Sequence, residues 1–316
     1  MKITAILISI SIICNTVYAQ PLSQEKVKWY PFVWEGDEDL PKDAMLLYST
    51  IDTVNFTFKW QFDTGSPRTF FYGNPWRSFC NTFPLLKTLF TTVDTLKADG
   101  YINVKNGGIN IDGQKLPSGV IGVMPDYGNL IDKQLILDNL GAATTIGTMG
   151  IDLFRQGVLI IDFKDNRLGF TERLSPGFYS ARHNTLDFML YKNRIIIPVQ
   201  LGRTTYYFFY DSGASLFPLK TTAAFTTLAG AVHYTDTLYN ITTWGKAYNV
   251  PGGTLKQKLN IGNLRIKQPK MYVHPDPDKY HTEIFKEAET MGLIGNAFFD
   301  NRMLVIDFTK MKFTIL

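Results

Sequence analysis

The sequence predicts an all-β protein that is built from two copies of one domain and contains a few short helices. Three observations lead to this prediction. The chain repeats itself at a nearly constant spacing, and its apolar and polar residues alternate with the period of a β-strand. Turns rich in glycine, proline and asparagine separate these short strand patterns, whereas helical patterns are few.

The repeat is the strongest organisational feature of the chain. Three segments recur in the same order at spacings of 145 to 150 residues: residues 58–65 as 206–213, residues 109–116 as 259–266, and residues 147–163 as 292–308. The units of a solenoid are much shorter than this. The chain is therefore predicted to contain two copies of one domain.

The strand predictions follow from the spacing of apolar side chains. Residues 54–62 alternate between apolar and polar side chains, which is typical of a half-buried strand. The equivalent residues 206–210 are aromatic throughout, which predicts a strand covered on both faces. A further strand is predicted at residues 45–51, and short helices at residues 131–140, 221–228 and 281–289.

The first residues have the pattern of an export signal. Lys2 precedes an apolar run over residues 3–13, and Ala19 offers a small residue before a cut. An uncleaved anchor is the alternative, but the run is short for a membrane span. We expect a signal peptide (residues 1–19), an N-terminal segment (20–42), an N-terminal lobe (43–176) and a C-terminal lobe (177–316).

The cysteine count and the net charge limit the cellular compartment and the kinds of partner that we expect. Once the signal peptide has gone, Cys80 is the one cysteine left, so no intramolecular disulfide can form, and a bacterial periplasm or exterior is favoured. The net charge is +4, without a basic block or a long acidic run, which argues against nucleic acid and membrane surfaces as partners. We expect an exported monomer without a stable membrane anchor and without a cofactor.

Each copy places an aspartate at the end of an apolar strand, followed by a hydroxyl residue and a glycine. A single tripeptide of this kind usually marks an ordinary turn. Here both copies keep it at equivalent positions, so a two-fold arrangement would bring the two carboxylates face to face. The residues concerned are Asp63, Thr64 and Gly65 in the first copy, and Asp211, Ser212 and Gly213 in the second.

Two carboxylates at such close range cannot both ionise comfortably, so they share one proton. The ionised member can take a proton from a water molecule while the protonated member donates to a carbonyl oxygen. Gly65 and Gly213 allow close backbone approach at the turns. The hydroxyls of Thr64 and Ser212 could form hydrogen bonds to the backbone of the opposite loop.

The residue after each glycine differs between the copies. Ser66 carries a hydroxyl that could donate to the carboxylate of Asp63, whereas Ala214 has no such donor for Asp211. A hydrogen bond to a charged carboxylate lowers its pKa. On this basis Asp211 is predicted to carry the shared proton more often, unless Ala214 is only a packing choice.

The two loops, at residues 62–66 and 210–214, resemble the active-site loops of pepsin-like aspartic peptidases. Residues 148–150 and 293–295, each leading into a strand that ends in Ile-Asp-Phe, resemble the segments that brace those loops. The resemblance runs from about residue 45 to residue 316. It implies a two-lobed β fold with a cleft between the lobes, and hydrolysis of polypeptides bound there in extended form. It also implies that Asp63 and Asp211 form the catalytic pair.

The family's flap, a hairpin that carries a tyrosine over the cleft, has one candidate here. Residues 98–101 could form a shortened flap that ends in Tyr101, or Tyr101 could simply begin a strand. The chain also departs from the family at the residues after the first loop, where an aromatic residue is displaced to Phe70, and in its lack of disulfides.

Other functions remain open at the level of sequence. A binding or inhibitor protein with the same fold would not need both aspartates, and a glycosidase pair would not need the repeated hydroxyl-glycine turns. Residues 274–281 contain metal-ligand types, but no further ligands accompany them, and a solvated loop explains them. Cys80 is expected to be a packed apolar side chain rather than a nucleophile.

Overall fold

The computed structural model describes residues 26–51, 54–94, 100–116, 119–139, 145–179, 183–223, 225–226, 233–243 and 245–316. The predicted signal peptide lies outside these residues. Across them the protein is mostly β, with two ten-stranded sheets and one six-stranded sheet. The predicted all-β class is confirmed at this level. No helix among the described residues is long and apolar enough to cross a membrane.

The first ten-stranded sheet, called here the N-terminal sheet, is formed by residues of the first copy. Its spatial order is β6-β7-β10-β5-β11-β4-β3-β8-β9, and β2 pairs with β3. The strands are β2 (Val33–Glu35), β3 (Ala44–Ile51), β4 (Val54–Phe62), β5 (Phe70–Tyr72), β6 (Thr92–Asp94), β7 (Ile102–Lys105), β8 (Ile109–Ile111), β9 (Gln114–Lys115), β10 (Val120–Met124) and β11 (Thr145–Met149).

The second ten-stranded sheet, the C-terminal sheet, repeats this order with strands of the second copy. Its order is β19-β20-β23-β18-β24-β17-β16-β21-β22, and β15 pairs with β16. The strands are β15 (Met189–Tyr191), β16 (Arg194–Leu201), β17 (Thr204–Tyr210), β18 (Lys220–Thr221), β19 (His233–Thr243), β20 (Lys246–Thr254), β21 (Leu259–Ile261), β22 (Leu264–Ile266), β23 (Lys270–Val273) and β24 (Gly292–Ile294).

The six-stranded sheet joins the two copies. Its order is β1-β13-β12-β25-β26-β14. At its centre the two Ile-Asp-Phe strands pair antiparallel, and Ile160 faces Val305, its own equivalent in the repeat. A two-fold relation between the copies therefore passes through this pair. The strands are β1 (Lys28–Pro31), β12 (Val158–Asp162), β13 (Arg167–Thr171), β14 (Asn184–Asp187), β25 (Met303–Asp307) and β26 (Lys312–Ile315).

The α-helices among the described residues are short. They span Gly73–Thr82, Leu85–Leu89, Lys133–Asn139 and Tyr280–Glu287. The last two match the helices predicted at residues 131–140 and 281–289 to within two residues at each end. The helix predicted at 221–228 lies partly outside the described residues, and only residues 223 and 225–226 of it are seen to be helical.

The prediction that residues 206–210 are covered on both faces is wrong for the first half of the strand. Tyr207 is 40% exposed, and burial is complete only from Phe208 to Tyr210. The physical reason lies in the packing over one face of β17. Successive residues of a strand point to opposite faces, and on the face of Tyr207 only Phe209 is buried, where it packs against Phe285 of the last helix with ring centroids 6.0 Å apart. This cover does not extend to Tyr207.

Cys80 lies in the first helix, Gly73–Thr82, as part of an apolar face. Trp76, Phe79 and Cys80 follow the i, i+3, i+4 spacing of one helix side and are all buried. Phe79 packs against Phe58 of β4 with ring centroids 5.0 Å apart. Burial raises the pKa of the Cys80 thiol to about 12. Cys80 is thus a core residue, as the sequence indicates.

We predict that Cys80 is unreactive in the folded protein. Its thiol is buried and its raised pKa leaves very little thiolate, which is the reactive form. Alkylation with iodoacetamide near pH 8, followed by peptide mapping to separate Cys80 from Cys14, should modify Cys80 only after denaturant is added. Modification at equal rates with and without denaturant would contradict this placement.

Candidate active site

Each aspartate is held at the end of a strand by a parallel neighbour. Asp63 follows β4, and its backbone N–H donates to the carbonyl of Met149 in β11 at 3.0 Å. Asp211 follows β17, and its N–H donates to the carbonyl of Ile294 in β24 at 2.9 Å. Because these pairings are equivalent, the two copies present their aspartates in the same backbone setting.

The two loops also hold the carboxylates in the same way. Oδ1 of Asp63 accepts hydrogen bonds from the N–H groups of Gly65 at 2.7 Å and Ser66 at 3.1 Å. Oδ1 of Asp211 accepts them from Gly213 at 2.9 Å and Ala214 at 3.2 Å. The second oxygen of each carboxyl group is therefore available to the other aspartate or to a bound molecule.

The glycines are required by the approach of the opposite carboxyl group. A Cβ placed on Gly65 would lie 2.5 Å from Cγ of Asp211, and a Cβ on Gly213 would lie 2.5 Å from Cγ of Asp63. Contacts this short are not tolerated between carbon atoms. Each aspartate therefore packs against the glycine of the other loop, and the two carboxyl groups come within hydrogen-bonding distance of each other.

A pair of crossed hydrogen bonds joins the loops beneath the carboxylates. The N–H of Thr64 donates to Oγ of Ser212 at 2.9 Å, and the N–H of Ser212 donates to Oγ1 of Thr64 at 2.8 Å. The hydroxyl of Thr64 in turn donates to the carbonyl of Tyr210 at 3.3 Å. Both side chains are fully buried. These bonds fix the spacing of the two loops where no water can replace them.

Ser66 does not act as the sequence suggested. Its hydroxyl donates to the carbonyl of Arg68 at 2.7 Å rather than to Asp63, and only its backbone N–H contacts the carboxylate. The bend over residues 66–68, between β4 and β5, places the Arg68 carbonyl beside this hydroxyl. Asp63 and Asp211 therefore receive the same set of backbone donors, and the prediction that Ser66 shifts the shared proton to Asp211 loses its basis.

The electrostatics of the pair follow from burial and from like charge. Burial raises the pKa of Asp63 well above its ordinary value, and the charge of Asp211 and a hydrogen bond donated to Asp211 raise it further. The backbone N–H groups of Gly65 and Ser66 act in the opposite direction but are weaker. Asp63 therefore retains its proton to a higher pH than an exposed aspartate would.

The carboxylates lie at the floor of a cavity of about 490 Å³. Residues of both ten-stranded sheets line it, among them Phe70 and Tyr72 from the N-terminal sheet and Lys220 from the C-terminal one, together with Phe217 from the segment between β17 and β18. A second cavity of about 420 Å³ shares Tyr101 with the first. The two linings also share Thr243, Tyr280 and His281, so the cavities are neighbours, and we refer to them together as the groove.

Tyr101 reaches this groove from the hairpin of β6 and β7. Its ring packs edge-on against Phe70, with centroids 5.2 Å apart, and the Arg68 guanidinium lies 4.5 Å from its centroid. Residue 101 immediately precedes β7 and is not itself part of the strand. Residues 95–99 lie outside the described residues, and with them the first two residues, 98 and 99, of the predicted flap.

Two residues of the site have no counterpart in the sequence predictions. Asn296 is buried and donates through Nδ2 to the carbonyl of Ser212 at 3.1 Å, while its Oδ1 accepts from the Tyr210 hydroxyl at 3.0 Å. Lys220 is a buried lysine on the cavity wall. Asn296 could have been found because it directly follows Gly295, whose equivalent, Gly150, is followed by an apolar residue. Lys220 stands out as a lone charge in an apolar run.

The loop over residues 274–281 is organised as a helix start. Both oxygens of Asp276 accept backbone N–H groups, from His281 at 3.1 Å and from Thr282 at 2.6 Å. The rings of His274 and His281 lie 5.2 Å apart. In the part of the chain that the structure describes, no group of three His, Cys, Asp or Glu side chains is placed to hold a metal ion.

Comparison with known proteins adds no further assignment. Neither the protein-family models nor the curated protein sequences contain a match to this chain.

We predict that removing the Thr64 hydroxyl destabilises the protein. Thr64→Val keeps the shape of the side chain but leaves the buried N–H of Ser212 without its acceptor, which costs about 1–3 kcal/mol. Denaturant unfolding measures the change in unfolding free energy. Thr50→Val, on the exposed side of β3, is the control and should change it by less than about 0.5 kcal/mol. Equal effects of the two substitutions would refute the role of the crossed bonds.

We also predict that Asp63→Asn changes how stability depends on pH. Below about pH 3.9, the ordinary aspartate pKa, Asp63 is protonated in both the folded and the unfolded chain. Above it the unfolded chain loses this proton while the buried Asp63 retains it, so the wild-type fold loses stability as pH rises towards the folded pKa. Asparagine has no proton to lose.

The unfolding free energy of Asp63→Asn relative to wild type should therefore increase between pH 3 and pH 7. Denaturant titrations at several pH values would measure the difference. A difference that stays constant, or that falls with pH, would contradict the raised pKa of Asp63.

Proposed function

We propose that this protein is an aspartic endopeptidase with a two-lobed fold, in which the groove between the lobes binds an extended polypeptide. The observation that carries the proposal is the symmetric facing of Asp63 and Asp211. Each carboxyl group packs against the opposite glycine, and the crossed bonds of Thr64 and Ser212 hold the loops together. This arrangement is the one expected from the resemblance of the sequence to the active-site loops of pepsin-like aspartic peptidases.

The chemistry would need no covalent intermediate. A water molecule between the carboxyl groups gives one proton to the ionised aspartate, while the protonated aspartate donates to the oxygen of the scissile carbonyl. The water oxygen adds to the carbonyl carbon, which yields a tetrahedral diol. The aspartate that now holds the proton donates it to the peptide nitrogen, while the other aspartate takes a proton from a hydroxyl of the diol. The carbon–nitrogen bond breaks, and an amine and a carboxylic acid are released. The pair of aspartates, Asp63 and Asp211, ends the reaction with one shared proton, as it began; we call this pair the dyad.

The spacing of the carboxyl groups favours this reaction over glycoside hydrolysis. Carboxylates of glycosidases stand about 5 Å or more apart so that a sugar carbon or a water fits between them. Here they lie within hydrogen-bonding distance of each other. Such a pair suits a shared proton and a single water.

The groove supports a peptide as the substrate. Its walls combine aromatic side chains such as Phe70, Phe217 and Tyr72 with polar groups around the dyad. Tyr101 on its hairpin would lie over the bound chain as a flap. With the predicted signal peptide, these features support an exported, monomeric enzyme of the periplasm or exterior that uses no cofactor.

We predict that Asp63→Asn and Asp211→Asn each abolish peptide cleavage while the protein remains folded. Neither carboxyl group can replace the other, because one must accept a proton while the other donates. Cleavage of a mixed peptide library, read by mass spectrometry at several pH values, should fall by a factor of about 10³ or more. Circular dichroism would verify folding.

Asp112→Asn is the matched control, because Asp112 is exposed at a turn with φ 47°, a conformation that asparagine also adopts. It should cleave like the wild type. Near wild-type cleavage by either dyad variant would rule out the assignment. A wild-type protein that binds peptides without cleaving them would instead indicate a binding or inhibitor protein of the same fold.

A further inference from the structure

Lys220 is a buried cation on the wall of the groove. It lies in β18, between β23 and β24, and only 5% of its surface is exposed. Its Nζ atom lies 5.2 Å from the ring centroid of Phe217, and both residues line the cavity over the dyad. Burying a charged amine is costly unless an opposite charge accompanies it.

The part of the chain that the structure describes provides no such partner. No acidic side chain there forms an ion pair with Lys220. The two acids whose charges act on it are already engaged. Asp211 accepts the N–H groups of its own loop and faces Asp63, and Asp276 accepts the N–H groups at the start of the last helix.

Arg194 lines the same cavity as Lys220, but its guanidinium group already donates to the Gly65 carbonyl and the Tyr280 hydroxyl. Burial lowers the pKa of Lys220 to about 8, so Lys220 is protonated at acidic and neutral pH. His274 and His281 lie beside it, and burial followed by the Lys220 charge lowers the pKa of both, that of His274 to about 3. Neither ring nitrogen of His274 has a hydrogen-bond partner among the described residues. Neutral imidazoles can donate or accept a hydrogen bond but cannot balance a charge.

Lys220 differs in charge and polarity from the residue at the equivalent position of the first copy. In the N-terminal sheet Phe70 pairs with Thr148, and in the C-terminal sheet Lys220 pairs with Leu293 at the equivalent position. The fold therefore accepts a large apolar side chain at this place. One wall of the groove is aromatic, and the matching point on the other wall carries a buried ammonium group.

We propose that Lys220 selects peptides with a glutamate or aspartate side chain next to the cleaved bond. This inference rests on the proposed peptidase function. The substrate carboxylate would form the ion pair that Lys220 lacks, with His274 or His281 as an additional hydrogen-bond donor. A glutamine of the same shape would bring a dipole but no charge, and ion-paired hydrogen bonds are about twice as strong as neutral ones.

The test uses peptides that carry glutamate or glutamine in turn at each of the four positions nearest the cleaved bond. At about pH 5.5 the peptide glutamate is ionised, since its ordinary pKa is about 4.3. The ratio of kcat/KM for the glutamate and glutamine peptides is measured for the wild type, Lys220→Met and Lys220→Arg. Lys256→Met, at an exposed lysine that lines neither cavity, is the matched control.

At one position the wild type and Lys256→Met should prefer glutamate by about tenfold or more. Lys220→Arg should retain the preference, and Lys220→Met should reduce the ratio to about one. A wild type without a glutamate preference at any position would overturn the inference and leave the peptidase function standing. So would a preference that survives in Lys220→Met.

A binding measurement separates the two proposals. Affinities of the same peptides for Asp63→Asn, and for Asp63→Asn combined with Lys220→Met, do not depend on cleavage. If the wild type cleaves no peptide, the peptidase function fails. Tighter binding of the glutamate peptide that disappears with Lys220→Met would still uphold the acidic subsite, and equal affinities would overturn it. If Lys220→Met does not fold, Lys220→Gln takes its place in both measurements.

Discussion

The close approach of two carboxyl groups is the constraint on which the rest of the structure depends. Asp63 and Asp211 repel each other when both are charged, and each loses hydration on burial. Left alone, the two loops would separate until water filled the space between them. The crossed hydrogen bonds of Thr64 and Ser212 oppose this separation from below. Because they are fully buried, breaking them would leave unpaired polar groups without water.

Strand pairing in the three sheets also helps to hold the two carboxyl groups close together. Parallel pairing of β11 with β4 and of β24 with β17 fixes where each aspartate leaves its sheet. The central pair of the six-stranded sheet, β12 and β25, ties the two copies together about their two-fold relation. Asn296 then connects Tyr210 to the second loop through two further hydrogen bonds. Two carboxyl groups that repel each other are thus held in place by strands more than a hundred residues apart in sequence.

The sequence predicted the features that depend on local pattern or on the repeat. Alternation in residues 54–62 gave β4, and the matched tripeptides gave the facing aspartates. The predictions failed where the outcome depends on packing between distant elements or on the path of a loop. Tyr207 is exposed because the helix residue that covers this face, Phe285, packs over Phe209 and not over Tyr207. The Ser66 hydroxyl turns to Arg68 because of the path of its loop. Neither fact is encoded in a pattern of neighbouring residues.

The backbones of the two copies are matched around the site. The side chains that differ between the copies are therefore informative about what distinguishes the two sides of the site. The backbone donors to the two carboxylates are matched, so the loops alone provide no difference between the two sides of the site. The walls do differ, because Phe70 and Lys220 occupy equivalent places. The duplicated framework thus supplies the position of the carboxyl groups. In the proposed peptidase, the residues in which the two copies differ would determine the direction in which a bound chain lies and which side chains it carries.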